Sequence, residues 1–237
     1  METHMKTSNK ILLITLIVIL VFITGMIITT RIILYNASCK ASAFSDDEFV
    51  QQEFSYEDFN SLKVYGHWSL DIEQGDDYSV ILYYPEELSD RISLEHCSKE
   101  LIIDSNIKWH SHHRIFRAEI VMPHLESIEI VEGSSISFED FSCDQLNIKT
   151  TGATEIKGRN SSINDLDVVC DGASHVDLRH SRIVNATLHL AGASRVELTM
   201  NGGILSGTAH GASSIVYYGE VAKQNIETAG AVSIRHR

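Results

Sequence analysis

Gly133-Ser134-Ser135, Gly152-Ala153-Thr154, Gly172-Ala173-Ser174, Gly192-Ala193-Ser194, Gly211-Ala212-Ser213 and Gly230-Ala231-Val232 are six occurrences of one short phrase, with glycines 19, 20, 20, 19 and 19 residues apart. A fixed period near twenty residues marks a solenoid, in which each repeat adds one coil and touches only its neighbours. Six, four and two places before the glycine stand Leu146, Ile148 and Thr150, then Leu166, Val168 and Cys170, then Ala186, Leu188 and Leu190. Four places after it stand Ile156, Val176, Val196, Ile215 and Ile234, with Leu178 and Leu198 two places further on. Alternation of period two on both sides of a glycine is the pattern of two short strands joined at a corner. The residues between them, such as Asn147, Lys149, Asp167, Asp177, His189 and Glu197, suit an outward face. A third apolar point, at Ile163, Ile183 and Val221, leaves room for another short strand per coil. Glycine tolerates the positive φ of a corner, and the alanine and serine after it are small enough to stack as a ladder.

The fold class expected is therefore all-β: a parallel β-helix of about six coils of 19–20 residues over residues 125–237. At ~4.8 Å between strands, six coils stack to roughly 29 Å. A β-sandwich with evenly spaced turns is the competing reading, but a sandwich gives no reason for one corner to repeat. The first copy is out of step by one residue, Ile136 standing where position 137 is required, as befits an atypical end repeat.

Upstream, residues 1–10 are polar and read as a cytoplasmic tail. Ile11–Thr30 then runs without a charge, and the apolar character resumes after Arg31, so residues 11–34 read as an uncleaved transmembrane anchor. Lys6 and Lys10 on one side face Arg31 and Lys40 on the other; the short tail places the bulk of the chain outside the cytoplasm. Two processing alternatives stand beside this: Ala41-Ser42-Ala43 has the form of a signal-peptidase site, and Ala37-Ser38-Cys39 that of the end of a lipobox, which would lipidate Cys39. Residues 35–58 read as an acidic linker. Residues 59–124 carry alternating runs from Leu62 to Met122, with Gly75-Asp76-Asp77 read as a hairpin turn, and are expected to cap the first coil.

The chain carries a net charge of −13. Removing Lys6, Lys10, Arg31 and Lys40 from the bases and Glu2 from the acids leaves 15 against 31, or −16, beyond the anchor. Such a surface repels phosphate backbones, which disfavours nucleic acid as a partner. Cys39, Cys97, Cys143 and Cys170 form no C-x-x-C pair. Cys170 falls on the inward alternation, and a Cys143–Cys170 bridge is open in an oxidising compartment.

Phe59, Leu62, Val64, Gly66, Leu70, Ile72 and Gly75, followed by Leu101-Ile102-Ile103, Met122-Pro123-His124-Leu125, the glycine phrases and His210-Gly211-Ala212-Ser213-Ser214-Ile215-Val216-Tyr217-Tyr218-Gly219, carry a family likeness. Phe59–Arg237 resembles the bacterial family called putative autotransporter adhesin, head-GIN domain. The resemblance implies a β-helical domain of the bacterial cell envelope. It supplies no catalytic residues. The His-rich insertion around Trp109 departs from the family pattern.

Within that insertion, His110 and His112 would share one face of a strand, with His113 beside them, and imidazoles so placed bind zinc or copper when a third ligand converges. No third ligand is evident in sequence, and a solvated tip between Ile107 and Phe116 explains the cluster without a metal. His175, His189 and His210 occupy different places in the coil and form no ladder. Asp177 and Glu197 fall at equivalent places on neighbouring coils, a pair that could hold a cation in a polysaccharide-acting β-helix, yet Arg179 and Arg195 beside them make an alternating charge ladder instead. G-x-S-x-G, H-E-x-x-H and phosphate- or dinucleotide-binding glycine motifs are all absent from the sequence.

The sequence thus reads as a binding or adhesin-like module of the bacterial cell envelope, a non-catalytic, membrane-anchored, extracytoplasmic β-helix without cofactor or metal. Its partners would be the lipid bilayer through the N-terminal helix and an envelope glycan or protein through its surface. A component of an envelope-stress sensor working with a membrane partner, and a polysaccharide-acting enzyme, are the alternatives.

Overall fold

The computed structural model describes residues 49–106 and 116–237. The expected anchor, Cys39 and the cluster His110, His112 and His113 lie outside the described residues. No helix among the described residues is long and apolar enough to cross a membrane.

Phe49–Arg237 is one compact unit, all-β, a solenoid with about six turns from β8–β9 onward and further parallel strands before them. Its strands are β1 (Phe49–Phe54), β2 (Ser61–Tyr65), β3 (Trp68–Gln74), β4 (Ser79–Pro85), β5 (Ile92–Cys97), β6 (Glu100–Ser105), β7 (Phe116–Met122), β8 (Ser127–Val131) and β9 (Ser135–Glu139). They continue as β10 (Ser142–Gly152), β11 (Glu155–Gly172), β12 (His175–Gly192), β13 (Arg195–Asn201), β14 (Ile204–Gly211), β15 (Ser214–Glu220), β16 (Lys223–Gly230) and β17 (Ser233–His236). The segments that precede each corner stack in parallel as one ladder, β6-β2-β8-β10-β11-β12-β14-β16. Those that follow it stack as a second, β7-β3-β9-β11-β12-β13-β15-β17. A short third column, Cys143, Ile163, Ile183 and Met200, is also in register, whereas Val221 falls between strands.

Inward residues of the two ladders fill the core. Ile148, Val168 and Leu188 on one side and Ile156, Val176, Val196 and Ile215 on the other are each at most 1% exposed. Like side chains pile on like, because adjacent coils share one register.

The corner follows from a close approach. Gly172 has φ +126°, and a Cβ built on it would lie 2.4 Å from the Gly152 carbonyl oxygen of the coil before. That same carbonyl accepts the Ala173 amide at 2.9 Å, so the coils cannot part to make room. The alanine that follows is exposed, contrary to the expectation that alanine and serine together line the bend; only the serine or threonine points inward, with Thr154, Ser174, Ser194 and Ser213 at 4% exposure or less. Each meets backbone carbonyls at the corner: the Ser194 hydroxyl lies 3.1 Å from the Ala191 carbonyl and 3.4 Å from that of Gly172.

The N-terminal half departs from its expected arrangement. Gly75-Asp76-Asp77 does not close a hairpin, because β7 lies between β3 and β4 and pairs with both. Strands β2 and β3 form a coil inside the stack, with β6 and β7 on one side and β8 and β9 on the other. The solenoid therefore begins well before residue 125. Antiparallel strands close this end: β5 on β6, β4 on β7, and β1 on β4. Strand β1 lies within the stretch expected to be linker.

Candidate functional site

Corners are where this fold exposes backbone and small side chains together, and at the N-terminal end three of them and the end of β6 line a groove of about 970 Å³. Tyr65, Gly66 and His67 come from the β2–β3 corner, Asp104, Ser105 and Asn106 from the end of β6, Glu132 and Gly133 from the β8–β9 corner, and Gly152 and Ala153 from the next.

The floor is fixed by hydrogen bonds between coils. The buried Ser134 hydroxyl donates to the Gly66 carbonyl at 2.8 Å and accepts the Trp68 amide at 3.1 Å. The buried Trp68 indole donates to the Tyr65 carbonyl at 3.1 Å. His67 Nδ1 is 2.8 Å from the Gly133 carbonyl, which can only accept, so this nitrogen carries the proton. Lys63 Nζ sits over the Tyr65 ring, 5.5 Å from its centroid. The partly exposed Tyr65 ring, with Asp104, Asn106 and Glu132, makes up the polar and aromatic lining.

Glu132 is out of place in a useful way. The register Tyr65↔Val131↔Thr151 puts Glu132 level with Gly66 and Gly152, so the corner residue of its coil is Glu132 and not Gly133. It adopts φ +84°, between glycines at +94° and +110°. An L-residue held there costs about 1 kcal/mol. The sequence signal was the one-residue slip of the first glycine phrase.

The residues singled out from sequence lie elsewhere. Asp177 and Glu197 are stacked partners on adjacent coils, buried to 9% and 4% exposure. Arg179 donates to both Asp177 oxygens, at 2.9 and 2.6 Å, and reaches Glu197 Oε2 at 3.0 Å. Arg195 binds the other Glu197 oxygen. The side-chain hydrogen bonds from Arg179, opposed by burial and helped by the guanidinium charge, hold the Asp177 carboxyl at about 2. Both carboxylates are thus neutralised by arginine, which disfavours a cation between them. No group of three or more His, Cys, Asp or Glu among the described residues is placed to hold a metal. His189 stacks beside Thr208 and His175 beside Arg195, so the histidines form no column.

The bridge considered between Cys143 and Cys170 does not exist. Cys97, Cys143 and Cys170 are all free, because Cys143 stacks beside Ile163 whereas Cys170 stacks between Thr150 and Leu190 in another ladder. Burial, with Asp144 and Glu126 nearby, pushes the Cys143 thiol up to about 11, and burial raises that of Cys170.

Residues 58–220 match the sequence model of the family described as "Putative auto-transporter adhesin, head GIN domain". Among solved structures, a putative adhesin from Bacteroides fragilis has 13% identity, a TM-score of 0.67, and coverage of 80% of this chain and 97% of its own. A putative lipid binding protein from Parabacteroides distasonis has 15% identity and a TM-score of 0.47, over 79% of this chain and 96% of its own. A putative adhesin from Parabacteroides merdae has 14% identity and a TM-score of 0.47, over 80% and 96%. No curated protein sequence matches. The likeness to the Bacteroides fragilis structure is one of fold.

Proposed function

The chain belongs to the family described as putative auto-transporter adhesin, head GIN domain, and from that premise we propose that it is a binding module that holds an envelope glycan along the groove between Tyr65, Asp104 and Glu132. The groove itself carries the reading. It offers an aromatic ring for stacking on a sugar and carboxylate acceptors for sugar hydroxyls. Lysine and arginine are missing from its described lining, Lys63 over the Tyr65 ring is paired with Glu129 at 3.3 Å, and the whole chain is at −13, so a neutral or amine-bearing glycan suits the groove better than a polyanion. Residues 11–34 serve in this proposal as the single-pass anchor that keeps the solenoid on the outer side of the membrane. The pairing of Asp177 and Glu197 with arginines favours binding without catalysis.

The test is co-sedimentation of the detergent-solubilised full chain with insoluble envelope polysaccharide, using neutral and acidic fractions separately. Retention on the neutral fraction, reduced about tenfold by Tyr65→Ala and by Glu132→Gln, is the expected result. Equal retention of both variants, or preference for the acidic fraction, sinks the proposal.

A further inference from the structure

The two ends of the solenoid differ. At the N-terminal end antiparallel strands lie on the last parallel rung, β5 on β6 and β4 on β7, with β1 on β4, whereas at the other end β16 pairs with β14, and β17 with β15, and among the described residues each has no partner on its other side. An open strand edge above a cut core invites another strand. Ile226, Val232 and Ile234, in the last described coil, pack against the core yet remain only half-buried.

Which backbone groups point outward follows from the register. Asn147 donates its amide to Glu126 in the coil below, and pairing carries that position through Asp167, Thr187 and Ser206 to Asn225. Asn225 and its alternates therefore turn their amides and carbonyls toward β14. Gln224, Ile226 and Thr228 turn theirs to the free edge.

We propose that this end is a self-association surface, on which β16 pairs antiparallel with β16 of a second copy about a two-fold axis through Asn225. An antiparallel pair needs outward-turned residues opposite one another. Centring on Asn225 meets this condition, setting Gln224 against Ile226 of the copy. It also sets Lys223 against Glu227 of the copy, twice over by symmetry, so the charges complement one another. Moving the centre to residue 224 or 226 keeps the hydrogen bonds and loses both charge pairs. A two-fold contact uses the same edge of both copies, so the pairing closes at two. This surface is independent of the groove.

The experiment uses the full chain in detergent. In a Cys39→Ser, Cys97→Ser background, Asn225→Cys places two thiols across a non-hydrogen-bonded antiparallel pair, with Cα atoms about 4.5 Å apart, close enough for a disulfide. A mild oxidant is expected to give a covalent dimer at least about tenfold faster than for His189→Cys, an exposed position away from the edge. In sedimentation velocity, Lys223→Glu is expected to weaken dimerisation about tenfold, and Lys223→Glu with Glu227→Lys to restore it. A wild-type chain that stays monomeric at tens of micromolar overturns the proposal. So does cross-linking of Asn225→Cys no faster than the control, or failure of the double swap to restore association.

Discussion

Arg179 lies between Asp177 and Glu197, 2.6 Å from the first through Nη2 and 3.0 Å from the second through Nε. Two carboxylates stacked on neighbouring coils would repel; the guanidinium turns the repulsion into a bridge between coils. Replacing Arg179 with Met keeps much of the stem and removes the charge. The loss expected at pH 7 is about 1–3 kcal/mol, and Asp177→Asn in the same chain should recover part of it. Thermal or urea unfolding of the three proteins checks both statements.

The same bridge sets an acid limit. Asp177 is held at about 2, below its ordinary value of 3.8. A depressed carboxylate stabilises the fold above the unfolded pKa, and that contribution is lost as pH falls through the folded value. The loss should therefore fall between about pH 4 and pH 2. Because Arg179 is 42% exposed, solvent screening reduces the contribution to about 1 kcal/mol. Asp177→Asn should flatten that part of the stability curve, measured by denaturant midpoint against pH.

At the corners, opposite substitutions should have opposite effects. Gly172→Ala drives a Cβ into the Gly152 carbonyl at positive φ and is expected to cost roughly 2–4 kcal/mol. Glu132→Gly relieves a left-handed non-glycine and should gain about 0.5–1 kcal/mol, while weakening glycan retention. A stability gain with unchanged retention would mean that the carboxylate plays no part in the groove. Calorimetry beside the sedimentation assay separates the two.

Thiol reactivity offers a fourth check. Cys97 is exposed, and Cys143 and Cys170 are buried. In the folded protein at pH 8, labelling of the described cysteines should stop at Cys97, with Cys143 and Cys170 reacting only after unfolding. Peptide mapping before and after denaturant distinguishes the sites.

The repeat from Gly152 onward was legible because each coil repeats its own corner, and the alternation on either side assigns the inward face. The coil built by β2 and β3 was hidden: Gly66-His67-Trp68 shares the glycine but not the phrase, and its neighbours in the stack come from residues 100–105 and 127–131. No local pattern announces that a strand pair will be flanked by segments far along the chain. The groove was hidden for the same reason, since its described lining comes from three corners and the end of β6, spread over residues 65–153. The burial of Asp177 and Glu197 was equally silent in sequence, because it depends on arginines folding over them.

The threading of β2 and β3 between strands that come later in the chain bears on how the molecule is made. Emerging from a ribosome or a secretion pore, this pair has neither flank in place, and β8 and β9 must arrive before it is enclosed. Assembly cannot advance winding by winding from the leading end. A polypeptide halted before residue 139 would hold an unfinished collar of strands, and the regular coils beyond it are the part free to add in order of synthesis.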